Sequence, residues 1–131
     1  MIQEITQYIE NNTDLEIGVD LFSAFVPSDA PDDCVAILET VPGVPNFYLT
    51  DYVEKPIQVI SRASNYYVAK LNVEAIYSLL HGATGITLPN VIGNEYYVNT
   101  AEANAAPYSI GVDDRGLHQI VVNFILRIQN V

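Results

Sequence analysis

The stretch Gly116–Ile128, with the sequence GLHQIVVNFILRI, has the clearest strand pattern of this chain. Five apolar side chains alternate along it, namely Ile120, Val122, Phe124, Leu126 and Ile128. A period of two with one fully apolar face predicts a strand in a sheet that is covered on that side. The alternate face is only partly polar, since it includes Val121 and Ile125. This pattern is typical of an interior strand, because exposed edge strands usually carry more charge.

The chain opens with an amphipathic pattern. Ile2, Ile5 and Ile9 recur at helical spacing and are followed by the polar cluster at residues 11–14. We therefore expect a first helix that ends at this cluster.

Two apolar runs follow the first helix. They are Val19–Val26 and Cys34–Val41, and a polar segment rich in proline and aspartate separates them at residues 27–33. Two runs of strand length around a turn predict a β-hairpin, although seven turn residues are more than a tight hairpin needs.

The segment from Val41 to Pro56 combines three prolines with the large side chains Phe47, Tyr48, Leu49 and Tyr52. Prolines at this density exclude a central strand or a helix interior, so we predict a loop. Its aromatic residues either pack on their own domain or contact a partner chain, because aromatic side chains are enriched in interface cores.

The middle of the chain predicts a strand and the main helix. The strand covers Ile57–Arg62 and the helix covers Ser64–Leu80, with Gly82 as a C-cap. One apolar stripe runs along the helix, made of Tyr66, Ala69, Val73, Ile76 and Leu80.

The remaining elements form a terminal antiparallel group. Ile86–Ile92 is a broken apolar segment, and Tyr96–Asn99 and Tyr108–Val112 are predicted strands joined by a long mobile loop at Thr100–Pro107. The compact turn Asp113–Gly116 predicts a second hairpin, which leads into the last strand.

Strands and helices do not alternate regularly along the chain. We therefore predict a single α+β domain over residues 1–131, with a mostly antiparallel sheet and two main helices packed on one face. At this length the fold buries about two-thirds of the surface of the unfolded chain.

The charge balance is strongly acidic. The net charge is −11 and only five side chains are cationic. Such a field opposes binding to nucleic acid and to anionic lipid. It serves solubility, or it lets DNA pass a surface without sticking to it. We also expect no signal peptide and no membrane span, since no basic region precedes an apolar run and no stretch approaches about 20 apolar residues.

Residues for catalysis or metal binding are sparse. His81 and His118 have no local partner pattern, and Cys34 lies in an apolar run without an adjacent cation. The acidic turns at residues 29–33 and 113–114 lack the spacing of a calcium loop. We predict no catalytic residue, no cofactor and no metal site, and hence no enzyme.

The element order supports a family resemblance. It consists of an opening helix, the Val19–Val41 hairpin, the segment PIQVISR at residues 56–62 before the helix Tyr66–Leu80, and the closing DDRG…VVNFILRI. Together these resemble the minor capsid or tail-terminator proteins of long-tailed bacteriophages over residues 1–129. The resemblance implies a virion protein, assembled in the host cytoplasm, that forms a ring with six as the expected number of copies. The ring would sit on the end of the tail tube, stop tube polymerisation and offer a surface to head-completion or connector proteins, while DNA passes through without specific binding.

Two different surfaces are needed for such a ring. The candidate subunit or partner contacts are Phe47, Tyr48, Tyr52, Tyr96, Tyr97, Tyr108, Val121 and Ile125. The alternatives are another head–tail connector or tail-completion adaptor, and a small-ligand-binding or enzymatic α+β domain.

Overall fold

The computed structural model describes residues 1–39, 41–49, 51–93 and 95–130. Its two helices are α1 (Ile2–Asn12) and α2 (Tyr66–Leu80). Its strands are β1 (Leu21–Ser23), β2 (Cys34–Leu38), β3 (Val44–Pro45), β4 (Tyr52–Ala63), β5 (Ala83–Thr87), β6 (Tyr96–Ala103), β7 (Tyr108–Val112) and β8 (His118–Asn130).

One sheet contains all the strands of the described residues, in the order β1-β2-β4-β8-β6-β5. The strands β4 and β8 pair with each other along their length, so each has one edge left for other strands. On the free edge of β4, β2 and β3 pair with different parts of the strand. On the free edge of β8, β6 and β7 do the same. Helix α1 packs on β1 and β2, and α2 packs on β4, β8 and β6. The predicted α+β class, with a mostly antiparallel sheet and two helices on one face, is confirmed.

The last strand is interior, as its sequence predicts. β8 lies between β4 and the β6–β7 edge, and its apolar set from Ile120 to Ile128 is almost completely buried. These side chains face the helices, in register with Ile57 and Val59 of β4. These helix-facing side chains make up much of the core, and burial of each large one stabilises the fold by roughly 1.5–3 kcal/mol.

Strand β4 is longer than predicted. It runs for 12 residues from Tyr52 and includes Pro56, so the prediction that residues up to Pro56 form a loop is wrong for its last part. On the edge opposite β8, β2 reaches only Gln58 and β3 reaches only Glu54. Pro56 lies between these two partners, where a strand accommodates a residue without an N–H most easily.

Both predicted helices are present. The side-chain oxygen of Asn65 accepts a hydrogen bond from the N–H of Tyr67 at 2.8 Å and caps the N-terminus of α2. After α2, Gly82 takes a φ of 78°, which a residue without a Cβ adopts at little cost. The hydroxyl of Ser61 donates to the carbonyl of Ala69 at 2.8 Å and ties α2 to β4.

The first predicted hairpin is wrong, because β1 and β2 are parallel. Residues 24–33 therefore return along the sheet instead of turning tightly. The guanidinium of Arg62 holds the end of this connection, since it donates to the carbonyls of Pro31 and Asp32 at 2.9 and 3.4 Å. Arg115 forms an ion pair with the Asp32 carboxylate. These anchors come from distant parts of the sequence, so the local pattern could not reveal them.

The second predicted hairpin is confirmed between β7 and β8. The prediction of a long loop at Thr100–Pro107 is wrong for its first half. Strand β6 extends to Ala103, so only residues 104–107 separate it from β7. Both strands pair with β8 and not with each other. The apolar segment predicted at Ile86–Ile92 belongs in part to the edge strand β5, which begins earlier, at Ala83.

Replacing the Phe124 side chain tests the buried face of β8. Phe124→Ala should lower the free energy of unfolding by roughly 3–5 kcal/mol, because it leaves a cavity in the centre of the core. The matched control is Leu71→Ala on α2, where the side chain is 71% exposed and the expected loss is about 0.5 kcal/mol. Urea denaturation measures both values, and equal losses would contradict this assignment of the core.

The turn between β7 and β8 should depend on pH. The Asp113 carboxylate accepts hydrogen bonds from the N–H groups of Leu117 and Arg115 at 3.0 and 2.9 Å, and the Leu117 bond is the main cause of a pKa below the usual 3.8. A lowered pKa stabilises the fold above pH 3.8, and this contribution disappears as the pH falls through the folded-state value.

We therefore expect Asp113→Ala to destabilise the protein at neutral pH and the difference from wild type to shrink in acid. Asp114→Ala in the same turn is the control, with a smaller effect at each pH. Urea denaturation as a function of pH measures the difference. A loss that stays constant from neutral pH to well below pH 3.8 would contradict the role of the carboxylate.

Candidate functional site

The sheet has a second face, opposite the helices, which we call the open face. Arg127 lies on this face, near the C-terminal end of β8. Its guanidinium is 2.9 Å from the Glu102 carboxylate and 3.5 Å from that of Glu54, and it donates to the Thr100 hydroxyl at 3.2 Å. The hydrogen bond to Glu102 is the largest cause of a raised Arg127 pKa, and Glu54 adds to it. This network links β4, β8 and β6 across the open face.

A neutral ladder lies farther along the same face. Gln58 donates to the Asn123 side chain at 3.2 Å, and Asn123 donates to the Tyr108 hydroxyl at 3.4 Å. Asn123 and Arg127 of β8 thus have side-chain partners within the chain, which satisfy much of their hydrogen-bonding capacity on the open face.

The two apolar residues of the alternate β8 set differ in exposure. Ile125 is half-buried, in register between Pro56 and Glu102. Val121 is only 1% exposed, in register between Ile60 and Tyr108. Val121 offers almost no surface to another subunit, so we keep only Ile125 as a candidate contact on this face.

The residues Phe47, Tyr48 and Leu49 project from the end of β3, and we call them the aromatic tip. Phe47 and Tyr48 are 87% and 89% exposed, and their rings meet edge to face with centroids 5.2 Å apart. The alternative in which the tip packs on its own domain does not describe this structure.

The aromatic tip is held in a defined turn. The Asn46 side-chain oxygen accepts from the N–H groups of Tyr48 and Leu49 at 2.9 and 2.8 Å. The N–H of Asn46 donates to the Tyr52 carbonyl at 3.1 Å, and the N–H of Tyr52 donates to the Leu49 carbonyl at 3.0 Å. These hydrogen bonds fix the backbone of the turn, so the backbone would not have to become ordered when the rings contact a partner.

The predicted tyrosine contacts do not form one surface. Tyr52 and Tyr97 flank Gln129 on the open face, beside the aromatic tip. Leu49, Tyr52 and Gln129 also line a pocket of about 210 Å³ there. Tyr96 packs partly against the core on the helix side, and Tyr108 lies on β7.

Strand β7 exposes three apolar side chains, Tyr108, Ile110 and Val112, which we call the β7 strip. A register shift between Ser109 and Gly111 places Tyr108 opposite Val121 on the open face and Val112 opposite His118 on the helix side, so the strip covers both sides of this edge strand. These side chains are about half exposed, and within the described residues β7 pairs with β8 alone. Tyr108 is among the contacts predicted from the sequence, whereas Ile110 and Val112 are not. Their alternation beside the Asp113 turn was the available signal, but it does not tell an edge strand from an interior one.

A third apolar area lies on the outer side of α2. Tyr67 is 77% exposed there, with Leu71 one turn further along the helix. Leu71 borders a groove of about 300 Å³ that also includes the acidic residues Asp14 and Asp20.

The residues considered for chemistry have structural surroundings. The Nδ1 of His81 accepts from the N–H of Ala103 at 3.0 Å, and His118 meets the Tyr66 ring edge to face. Cys34 is buried, and desolvation raises the pKa of its thiol. Among the described residues, no three histidine, cysteine or acidic side chains are grouped so that they could hold a metal ion.

Neither described helix is long and apolar enough to cross a membrane.

The fold has a counterpart in a solved virion. A chain in the structure titled "Virion of native gene transfer agent (GTA) particle" matches with a TM-score of 0.57 and 18% sequence identity. The match covers 86% of this chain and 80% of the other, and at this identity it shows a shared fold. No curated protein matches the sequence.

A family model described as "Bacteriophage tail terminator protein" matches residues 8–130. That range extends from the second half of α1 to the end of β8 and so includes the whole sheet. The chain therefore belongs to the bacteriophage tail terminator protein family.

Proposed function

We propose that this protein forms a homo-oligomeric ring, with six as the expected number of copies, at the end of the phage tail tube. The ring stops tube polymerisation and presents a surface to the head-completion or connector proteins. The observation that carries the proposal is the family match over residues 8–130, which identifies a structural protein of the phage tail.

The surface of the subunit supports assembly. A closed ring of identical copies needs two different surfaces on each copy. The aromatic tip and the β7 strip are separate apolar areas that expose large side chains. Soluble monomers seldom expose aromatic rings as fully as Phe47 and Tyr48, so these residues are the first candidates for burial in an assembly.

The charge distribution supports a path for DNA. The net charge is −11, and four of the five cationic side chains are engaged by groups of their own chain. Lys55 pairs with Glu39, Arg115 with Asp32 and Arg127 with Glu54 and Glu102, while Arg62 donates to backbone carbonyls. Because binding to phosphates depends on available lysine and arginine, an acidic ring lets DNA slide through without holding it.

Particles made without this protein test the function. Tail tubes should grow beyond their normal length and vary widely, because their end is no longer closed. Electron microscopy of tails from the wild type, the deletion and a complemented strain measures the length distribution. Tails of normal length that fail to join heads would contradict termination and favour a connector or tail-completion role.

Assembly should depend on the aromatic tip more than folding does. Tyr48→Ala or Tyr52→Ala should shift the purified protein, alone or with tail tube, from oligomer towards monomer and leave thermal unfolding almost unchanged. Tyr67→Ala on α2 removes a comparably exposed ring and serves as the control. Sedimentation velocity measures the assembly. Normal ring formation by both variants would reject the aromatic tip and the adjacent Tyr52 as an interface.

A further inference from the structure

We propose that the aromatic tip of one copy docks on the β7 strip of the next copy, so that a single head-to-tail contact repeats around the ring. This inference rests on the proposed ring. It names the two surfaces that meet. The partner at each surface is a second copy of this chain.

The positions of the two surfaces prevent them from meeting within one copy. The aromatic tip lies beside the pair Tyr52–Gln129, on the β4 side of the sheet. The β7 strip lies beside the pair Ile60–Val121, on the β8 side. Eight residues of extended strand, about 26 Å, separate these two pairs along the sheet. Diagonally opposite corners suit a head-to-tail contact, which needs two unlike surfaces that point to different neighbours.

Electrostatics favours these two surfaces over other apolar areas. Two copies with a net charge of −11 repel each other, and like charges brought together at an interface are costly. The stretches 40–50 and 103–112 contain no charged residue, and they include the aromatic tip and the β7 strip respectively. The groove beside α2 includes two carboxylates, Asp14 and Asp20, and the pocket beside the aromatic tip includes one, Asp51, so the groove suits a neighbour of the same sign less well.

The chemistry of the two surfaces is complementary. The aromatic tip offers two protruding rings in a hydrogen-bonded turn, so little conformational entropy is lost on docking. The β7 strip offers a tyrosine ring and two aliphatic side chains. Pro45 in β3 has no N–H, which makes β3 a poor template for a continuous sheet between copies. The contact is therefore made by side chains that bury the rings of the tip, rather than by a ladder of backbone hydrogen bonds.

A mixing experiment tests the pairing. Tyr48→Asp disables the tip and leaves the strip intact, whereas Ile110→Asp disables the strip and leaves the tip intact. Each variant alone should lose self-association, with the dissociation constant raised by about 30-fold or more, as for a hot-spot residue. An equimolar mixture should form a discrete heterodimer, because each pair retains one intact tip–strip contact and cannot extend further. Native mass spectrometry measures these species.

Three controls make the outcome specific. The double variant Tyr48→Asp/Ile110→Asp should stay monomeric, because neither of its two surfaces can bind a second copy. Tyr67→Asp, at a comparably exposed ring outside both surfaces, should assemble as the wild type does. Tyr108→Asp, on the open-face side of the same strand, replaces Ile110→Asp if thermal unfolding shows that the latter fails to fold.

The possible failures are distinguishable. Assembly of the wild type, with no heterodimer in the mixture, would overturn the tip–strip pairing and leave the ring proposal standing. Loss of assembly in Tyr67→Asp as large as in Tyr48→Asp would also overturn the pairing, since it would place α2 in the contact. A wild type that stays monomeric alone and with tail tube would refute the ring and the pairing together.

Discussion

The antiparallel pairing of β4 with β8 is the interaction on which the rest of the structure depends. Twelve register pairs join the two strands, from Tyr52–Gln129 to Ala63–His118. On one face their side chains form the floor beneath α2, and the outer edges of the pair hold β2, β3, β6 and β7. These strands are far apart in sequence, so their closure costs chain entropy that must be offset by burial of the helix-facing residues. Many of the buried apolar side chains therefore lie between this pair of strands and α2.

The same pairing separates stability from assembly. Residues that alternate towards the helices are packed in the core, whereas those on the open face are joined by hydrogen bonds and by the Arg127 network. The surfaces that we propose for assembly lie at two corners that the paired strands hold apart, and only Tyr108 also belongs to the hydrogen-bonded ladder of the open face. Substitutions there should change association with little effect on folding, because Phe47, Tyr48 and Ile110 make up exposed surface in the single chain. In the proposed assembly, the acidic field favours contact through these two corners, whose own stretches of sequence carry no charge.

Features set by local patterns could be predicted from the sequence. The alternation of β8, the spacing of both helices and the Asp113 turn each specify one element within a few residues. Features set by distant contacts could not. The connection between the parallel strands β1 and β2 contacts Arg62 and Arg115, which lie far away in the sequence, and Pro56 is accommodated in β4 because two different strands end on either side of it. The aromatic tip was predictable, since so many rings beside prolines are unusual. Ile110 and Val112 were missed because the sequence alone does not show that β7 has an unpaired edge within the described residues.

The central claim is that this member of the bacteriophage tail terminator protein family closes the tail tube as a ring of identical subunits. Cryo-electron microscopy of the parent particle, with this subunit located in the density, tests that claim most directly. The account predicts a single ring between the end of the tail tube and the head-completion proteins, with the aromatic tip of each subunit against the β7 strip of the next. Density for this subunit along the tube or at its far end, or a particle that lacks it, would contradict the account.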